Sequence, residues 1–233
     1  MRAMILAAGR GERMRPLTDT LPKPLLKVGG KPLIVWHIER LAKAGFQDII
    51  INHAWLGHKI PEELGNGSTF GVRLHYSPEG ERGFETAGGI ATAMPLLGSE
   101  AFLVINGDVW CDWNPVQALA LRDTLYKEAK KAWLLMVDNP AHHPEGDFCL
   151  NHSGEILNQG SPKLTFSGIG IYHPDLFAGI APQSFVKLAP ILRQAMQEHL
   201  VLGTYYSGQW TDVGTPARLQ ALDIQLLNTL HFL

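Results

Sequence analysis

An α/β fold is what this sequence predicts: a Rossmann-like open, mostly parallel mixed sheet with helices on both faces and a small antiparallel subregion at one edge. Two observations carry the prediction. Short apolar runs alternate with longer segments of helical period, the rhythm of strand, crossover helix and parallel strand. The runs are continuously apolar rather than alternating, which suits strands buried on both faces.

Taken in order, Met4 to Leu6, Ile49 to Ile51, Val72 to Tyr76, Phe102 to Ile105 and Trp133 to Val137 read as strands. Between them, Pro32 to Ala44, Trp55 to Leu64, Thr86 to Leu97 and Asn114 to Leu125 read as helices. The last opens with an Asn cap and a proline in its first turn. After Asp138 the rhythm changes. Asp147 to Asn151, Ile156 to Leu157 and Thr165 to Tyr172 are strand-like with no helix between them, and are expected as antiparallel strands covering one edge of the sheet. A helix from Lys187 to Glu198, a strand near Val201 to Tyr206 and a helix from Thr215 to Leu230 complete the chain.

At 233 residues and 45% hydrophobic content, one domain spanning 1–233 is expected. Within it, the change of rhythm after Asp138 sets 1–138 apart from 139–233. Twenty Lys and Arg against 22 Asp and Glu leave a formal charge of -2, so no basic excess favours nucleic acid or an anionic membrane. Two cysteines, Cys111 and Cys149, supply neither a disulfide framework nor a zinc site. The apolar run Ala3 to Ala8 is shorter than the hydrophobic region of a signal peptide, and no stretch nears the roughly 20 apolar residues that span a bilayer. A cytoplasmic location is expected.

The chemistry begins at Ala7-Ala8-Gly9-Arg10-Gly11-Glu12-Arg13-Met14. Glycines and small residues let successive backbone amides approach an anion, and arginines stand beside them. The loop fits neither a dinucleotide fingerprint, which needs glycine where Met14 stands, nor a P-loop. Pro22-Lys23-Pro24 follows, two prolines holding one ammonium on a stiff loop. Asp108 ends an apolar strand and so is expected at the carboxyl edge of the sheet, where open α/β sheets bind ligands; Asp212 ends a later strand and is expected at an edge likewise. Singly, each aspartate is more often a cap or a turn former. As a pair beside the glycine-rich loop and Lys23 they read as ligands of Mg²⁺, a hard ion held by one or two carboxylates plus substrate phosphates.

Gly-x-Gly-x-Arg-Met-x-Pro-Leu-Thr followed by Pro-Lys-Pro-Leu resembles the signature of the sugar-nucleotide pyrophosphorylases, nucleotidyltransferases that join a nucleoside triphosphate to a sugar 1-phosphate. The resemblance covers nearly the whole chain, and implies that 1–138 is mainly the nucleotide-binding half and 139–233 mainly the sugar-phosphate-binding half. It implies the nucleotide-diphospho-sugar transferase type of fold, Gly9 to Arg13 around the triphosphate, Lys23 on the reacting phosphates, and Asp108 and Asp212 on the metal. Arg13 and Lys23 are the catalytic candidates. Ala7, Ala8, Gly9, Gly11, Glu12 and Arg13 join Lys23 as nucleotide-binding candidates.

Four strings, Gly-Glu-Arg-Met-Arg-Pro-Leu-Thr, Ile-Asn-His-Ala-Trp-Leu-Gly, Tyr-Ser-Pro-Glu-Gly-Glu and Asn-Gly-Asp-Val-Trp, are similar to members that use UTP and N-acetylmuramic acid 1-phosphate in cell-wall recycling. Glu79 and the amides of Gly88 and Gly89 are candidates for reading uracil, with a surface-turn carboxylate and a helix-start glycine pair as equal alternatives. Asn106 and Asp147 are candidates for the sugar, and Asp138 is more readily a turn initiator. His142-His143 reads as a solvated pair, and Trp36, Trp55 and Trp133 read as core. The rival functions are transfer to another sugar 1-phosphate or to a phosphorylated amino alcohol, and a non-catalytic nucleotide-sugar sensor, which has no need of the two aspartates.

Overall fold

The computed structural model of the protein describes residues 1–230, with side chains through Asn228. Thirteen strands and six helices follow in chain order: β1 (Ala3–Ala7), β2 (Lys27–Val28), β3 (Lys31–Pro32), α1 (Leu33–Lys43), β4 (Asp48–His53), α2 (Lys59–Leu64), β5 (Arg73–Pro78), α3 (Glu85–Leu97), β6 (Phe102–Asn106), β7 (Val109–Cys111), α4 (Ala118–Lys127), β8 (Ala132–Val137), β9 (Cys149–Leu150), β10 (Ile156–Leu157), β11 (Thr165–Tyr172), α5 (Leu188–Gln197), β12 (Val201–Tyr205), β13 (Trp210–Asp212) and α6 (Pro216–Leu230).

Seven strands form the main sheet in the order β12-β8-β11-β6-β1-β4-β5. Every pairing is parallel except the two made by β11, which runs antiparallel to β6 and to β8. The register explains the continuous apolarity of the sequence. Ile5 lies beside Ile51 and Ile105, Met4 beside Ile50 and Val104. Because alternate side chains leave opposite faces, Ile5, Ile51 and Ile105 pack in one core with Ile34, Ile38 and Leu41 of α1, while Met4, Ile50 and Val104 pack in another with Ile90 of α3 and Leu192 of α5. Each such side chain contributes about 1.5–3 kcal/mol of burial. A third cluster, Met14, Val28, Leu33, Trp110, Val213, Leu222 and Leu226, ties the glycine-rich loop to α6.

Three expectations are corrected here. Thr165 to Tyr172 does not cover an edge: β11 is an interior strand, and of the segments after Asp138 expected there only β9 and β10 form a small antiparallel pair. Its run Ile169-Gly170-Ile171-Tyr172 is buried on both sides, the same signal that marks the parallel strands. The helix expected from Trp55 begins four residues later, at Lys59, because Leu56 adopts a left-handed φ of 50° that breaks the helical path. Asp212 does not leave the main sheet. It ends β13, which pairs antiparallel with β7 in a separate two-stranded ribbon.

Candidate active site

The glycine-rich loop leaves β1 at the carboxyl edge of the sheet and turns back at once. Gly11 takes a φ of 69°, which residues with a Cβ rarely adopt, and a Cβ there would also press on Thr18. Thr18 is fully buried and donates its hydroxyl to the Gly11 carbonyl at 2.8 Å. Met14, in the turn Glu12–Met14, is buried in the third cluster and anchors the far side. Ala7 spends its amide inside the fold, on Asn52 Oδ1 at 2.8 Å. Glu12 and Arg13 are exposed.

Lys23 opens a single 3₁₀ turn between its two prolines and is 7% exposed. Its Nζ donates to Asp108 Oδ2 at 2.7 Å. A cation so buried is stable only when paired, so this contact fixes the ammonium at the end of β6. The side chain of Asp108 is 41% exposed, with oxygen left for another partner.

Two cavities meet at this pair. One, of about 370 Å³, is lined by Ala7 to Arg10, Lys23, Asn106 and Asp108 at one end and by Asn52, Glu79, Gly83 to Thr86 and Phe185 at the other. The second, of about 470 Å³, is lined by Gly9 to Met14, Lys23, Asp108 and Gly214. Gly9, Arg10, Lys23 and Asp108 belong to both, so Arg13 and Lys23 serve one continuous depression.

At the far end of the first cavity, Glu79 is 3% exposed and accepts from Asn52 Nδ2 at 2.6 Å and from the Phe84 amide at 2.7 Å. Burial raises its pKa above the usual carboxylate range, and these two donors oppose the rise. Glu79 therefore faces the cavity as a braced wall, not as a surface turn. The amides of Ala87 and Gly88 both donate to the Val186 carbonyl, at 2.9 and 3.1 Å, so Gly88 offers no free amide to a base. It is there for close approach: a Cβ on Gly88 would strike the Ser184 carbonyl, and one on Gly89 would strike Glu79. Val186 in turn donates to the Phe84 carbonyl at 3.3 Å. A strap over residues 181–187, from the second half of the chain, thus lies across the start of α3 and carries Phe185 to the cavity rim. Phe185 is 66% exposed there, edge-on to Phe84 with ring centroids 5.7 Å apart.

Asp212 lies close to Asp108 through the backbone: the Val213 amide donates to the Asp108 carbonyl at 2.9 Å. Its carboxylate accepts from Arg218 Nη1 at 2.9 Å, with His142 Nε2 3.3 Å away. Arg218 is brought round by α6, whose first turn is capped by Thr215. His142 is exposed in its loop, as expected, and from there it also bridges the loop after β8 to Asp212 and Arg218. Asp147 does not line either cavity. It closes its own loop, accepting from the Phe166 amide at 2.8 Å and contacting His143 Nε2 at 3.1 Å. Asp138 accepts from the Tyr205 hydroxyl.

The comparisons with known proteins follow this geometry. Residues 2–228 match the family model for nucleotidyl transferases. The chain belongs to the nucleotidyl transferase family. It is 55% identical over 222 residues, 94% of its length and 96% of the relative's, to an N-acetylmuramate alpha-1-phosphate uridylyltransferase of Neisseria meningitidis serogroup B. It is 29% identical over 233 residues, 96% of each chain, to a protein of the same name from Caulobacter vibrioides. Among solved structures, one from Bacillus anthracis described as a glucose-1-phosphate thymidylyltransferase superposes with a TM-score of 0.84, covering 98% of this chain and 96% of that one at 23% identity, which shows the shared fold.

Several residues of this nucleotidyl transferase site escape the sequence reading. Asn52, Phe185 and His142 meet their partners across long stretches of chain, whereas Phe84 and Arg218 stand five and six residues from Glu79 and Asp212. One signal was present: a polar Asn52 ending an otherwise apolar run, where a buried side-chain amide needs partners. Trp55 is not core, while Trp36 packs half-buried against the third cluster. Trp55 lies under Arg10, and Trp36 contacts Lys31 and Trp110, whereas Trp133 is buried as expected.

Proposed function

We propose that the protein transfers the uridylyl group of UTP to N-acetylmuramic acid 1-phosphate, giving UDP-N-acetylmuramic acid and pyrophosphate in cell-wall recycling. The observation that carries the reaction type is the buried Lys23 paired to Asp108 where the two cavities meet beside the glycine-rich loop. The names of the two relatives support the choice of base and sugar.

A phosphate oxygen of the sugar 1-phosphate attacks the α-phosphorus, the new P–O bond forms, and the bond to the oxygen bridging to the β-phosphorus breaks. No proton need move, because the nucleophile is already anionic; the obstacle is repulsion between anions. Lys23, Arg13 and the loop amides of Gly9 and Gly11 offset that repulsion and stabilise charge on the departing pyrophosphate. Glu79, braced by Asn52 and the Phe84 amide, walls the base end, and Asn106 faces the sugar phosphate. In this reading 1–138 supplies most of the nucleotide site and 139–233 most of the sugar site within one domain, with the strap as the exception.

The donor set fits a magnesium ion. Asp108, in the turn just before β7, and Asp212, at the end of the paired strand β13, are hard oxygen donors, each now facing a cation of the protein, Lys23 and Arg218. Among the described residues no three acidic, His or Cys side chains converge, so substrate phosphates would complete the shell. When bound, Mg²⁺ supplies charge neutralisation on the triphosphate.

Isotopic labelling tests the bond that breaks. Label at the α-phosphorus of UTP should appear in the nucleotide sugar and label at the γ-phosphorus in pyrophosphate. Transfer of γ-label to the sugar would make the protein a kinase and overturn the proposal.

A further inference from the structure

The glycine-rich loop is tied from outside by a residue that no sequence motif connects to it. Trp55, in the turn between β4 and α2, places its ring beneath the guanidinium of Arg10, 3.8 Å from centroid to Cζ. Its indole N–H donates to the Thr18 carbonyl at 3.0 Å, and Arg10 Nη1 donates to the same oxygen at 3.1 Å. Thr18 then reaches back through its hydroxyl to Gly11. The three residues close a ring of contacts around Gly9 to Gly11, of which Gly9 and Arg10 line both cavities and Gly11 the second. Lys59, one helical step onward, adds a bond to the Thr20 carbonyl at 2.9 Å.

The charge distribution says what the ring of contacts is for. Arg10 shares its charge with the indole and with Asp19, 3.5 Å away, whereas Arg13 makes no ion pair among the described residues. Arg10 is thus a tether and Arg13 the cation left for phosphate. A loop of glycines ordered only on binding would lose affinity to the entropy of ordering it. We infer that Trp55 is a positioning residue for the triphosphate, holding the loop amides in place through Arg10 and Thr18; this rests on the uridylyl-transfer reading above.

The test is calorimetric binding of UTP and of UMP, which lacks the β- and γ-phosphates, to the full-length protein and to Trp55→Ala, Trp55→Phe, Arg10→Ala and the double variant Trp55→Ala with Arg10→Ala. Loss of a cation–π contact and a hydrogen bond predicts UTP affinity about tenfold weaker in Trp55→Ala. UMP affinity should change less than twofold, and Trp55→Phe, which keeps a ring under Arg10, should recover part of the loss. The double variant should bind UTP no more weakly than the weaker single variant, as coupled residues do. In turnover, the KM for UTP should rise while kcat and the KM for the sugar 1-phosphate hold. Equal weakening of UTP and UMP, unchanged UTP affinity, or additive losses in the double variant would each overturn the inference. If Trp55→Ala does not fold, Trp55→Phe and Arg10→Ala decide by the same UTP-against-UMP comparison. Failure of the unaltered protein to bind any UTP would instead overturn the uridylyl-transfer reading.

Discussion

Lys23 and Asp108 depend on each other, and substituting either should show it. Lys23→Ala removes the one buried cation at the junction of the cavities. By analogy with loss of a preorganised charge-stabilising donor, kcat should fall about 10²–10³-fold, measured by steady-state turnover at saturating substrates. Asp108→Asn leaves the ammonium short of its counter-charge and should lower turnover at least as far; near-normal turnover in both would contradict the assignment. A second residue-level prediction concerns His37, which is buried and donates from Nε2 to the Val109 carbonyl at 2.8 Å, next to Asp108. Burial, aided by nearby Arg40, lowers its pKa from 6.5 to about 4. In the unfolded chain the imidazole gains a proton below 6.5, while the folded one resists until about 4. Stability is therefore full above that window, is lost as pH falls through it, and levels off below it. The urea midpoint of the unaltered protein should fall over this range, and His37→Gln should flatten the fall. At this scale the sequence was legible where chemistry sits in contiguous motifs, as with Lys23 and Asp108. It was not legible for Arg218, His142 and Asn52, whose partners lie six to seventy-six residues away and are chosen by how the elements pack.

The elements carry their own lessons. Strands β1, β4, β6 and β8 were readable because a strand buried on both faces must be apolar throughout. The antiparallel direction of β11 was readable from the missing crossover helix, but its place was not, because that same irregular stretch suggested an edge while its continuous apolarity belongs to an interior strand. The ribbon of β7 and β13 was missed as an element for a related reason: three residues a side leave no periodicity to read. Yet that ribbon brings Asp212 to Asp108. The start of α3 offers a direct test of element packing. With the Ser184 carbonyl against Gly88, Gly88→Ala must push the strap away and break the bonds from Ala87 and Gly88 to Val186. A loss of about 1–3 kcal/mol is expected for overpacking at such a contact. Chemical denaturation should show the loss, and the KM for UTP should rise because Phe84 and Phe185 shift together. Unchanged stability would mean that the strap does not bear on α3.

Across the whole molecule, both halves of the sequence build one sheet. β8 of the first half lies between β11 and β12 of the second, and the strap returns from the second half to the cavity of the first. Unfolding followed by far-ultraviolet dichroism and by tryptophan emission should therefore give one coincident transition; separate midpoints would mean that 1–138 and 139–233 unfold independently. The same interweaving explains why the site draws on β1, β6, the ribbon and α6 at once, and why Phe185, from the second half of the chain, lines a cavity otherwise built by the first. The central claim, that this arrangement moves a uridylyl group to an amino-sugar phosphate, is tested most directly by pyrophosphate release. The assay crosses UTP, dTTP, CTP, GTP and ATP with the 1-phosphates of N-acetylmuramate, glucosamine, glucose and mannose in the presence of Mg²⁺. Release confined to UTP with N-acetylmuramic acid 1-phosphate is the predicted result, and release with another pair, or with none, would contradict it.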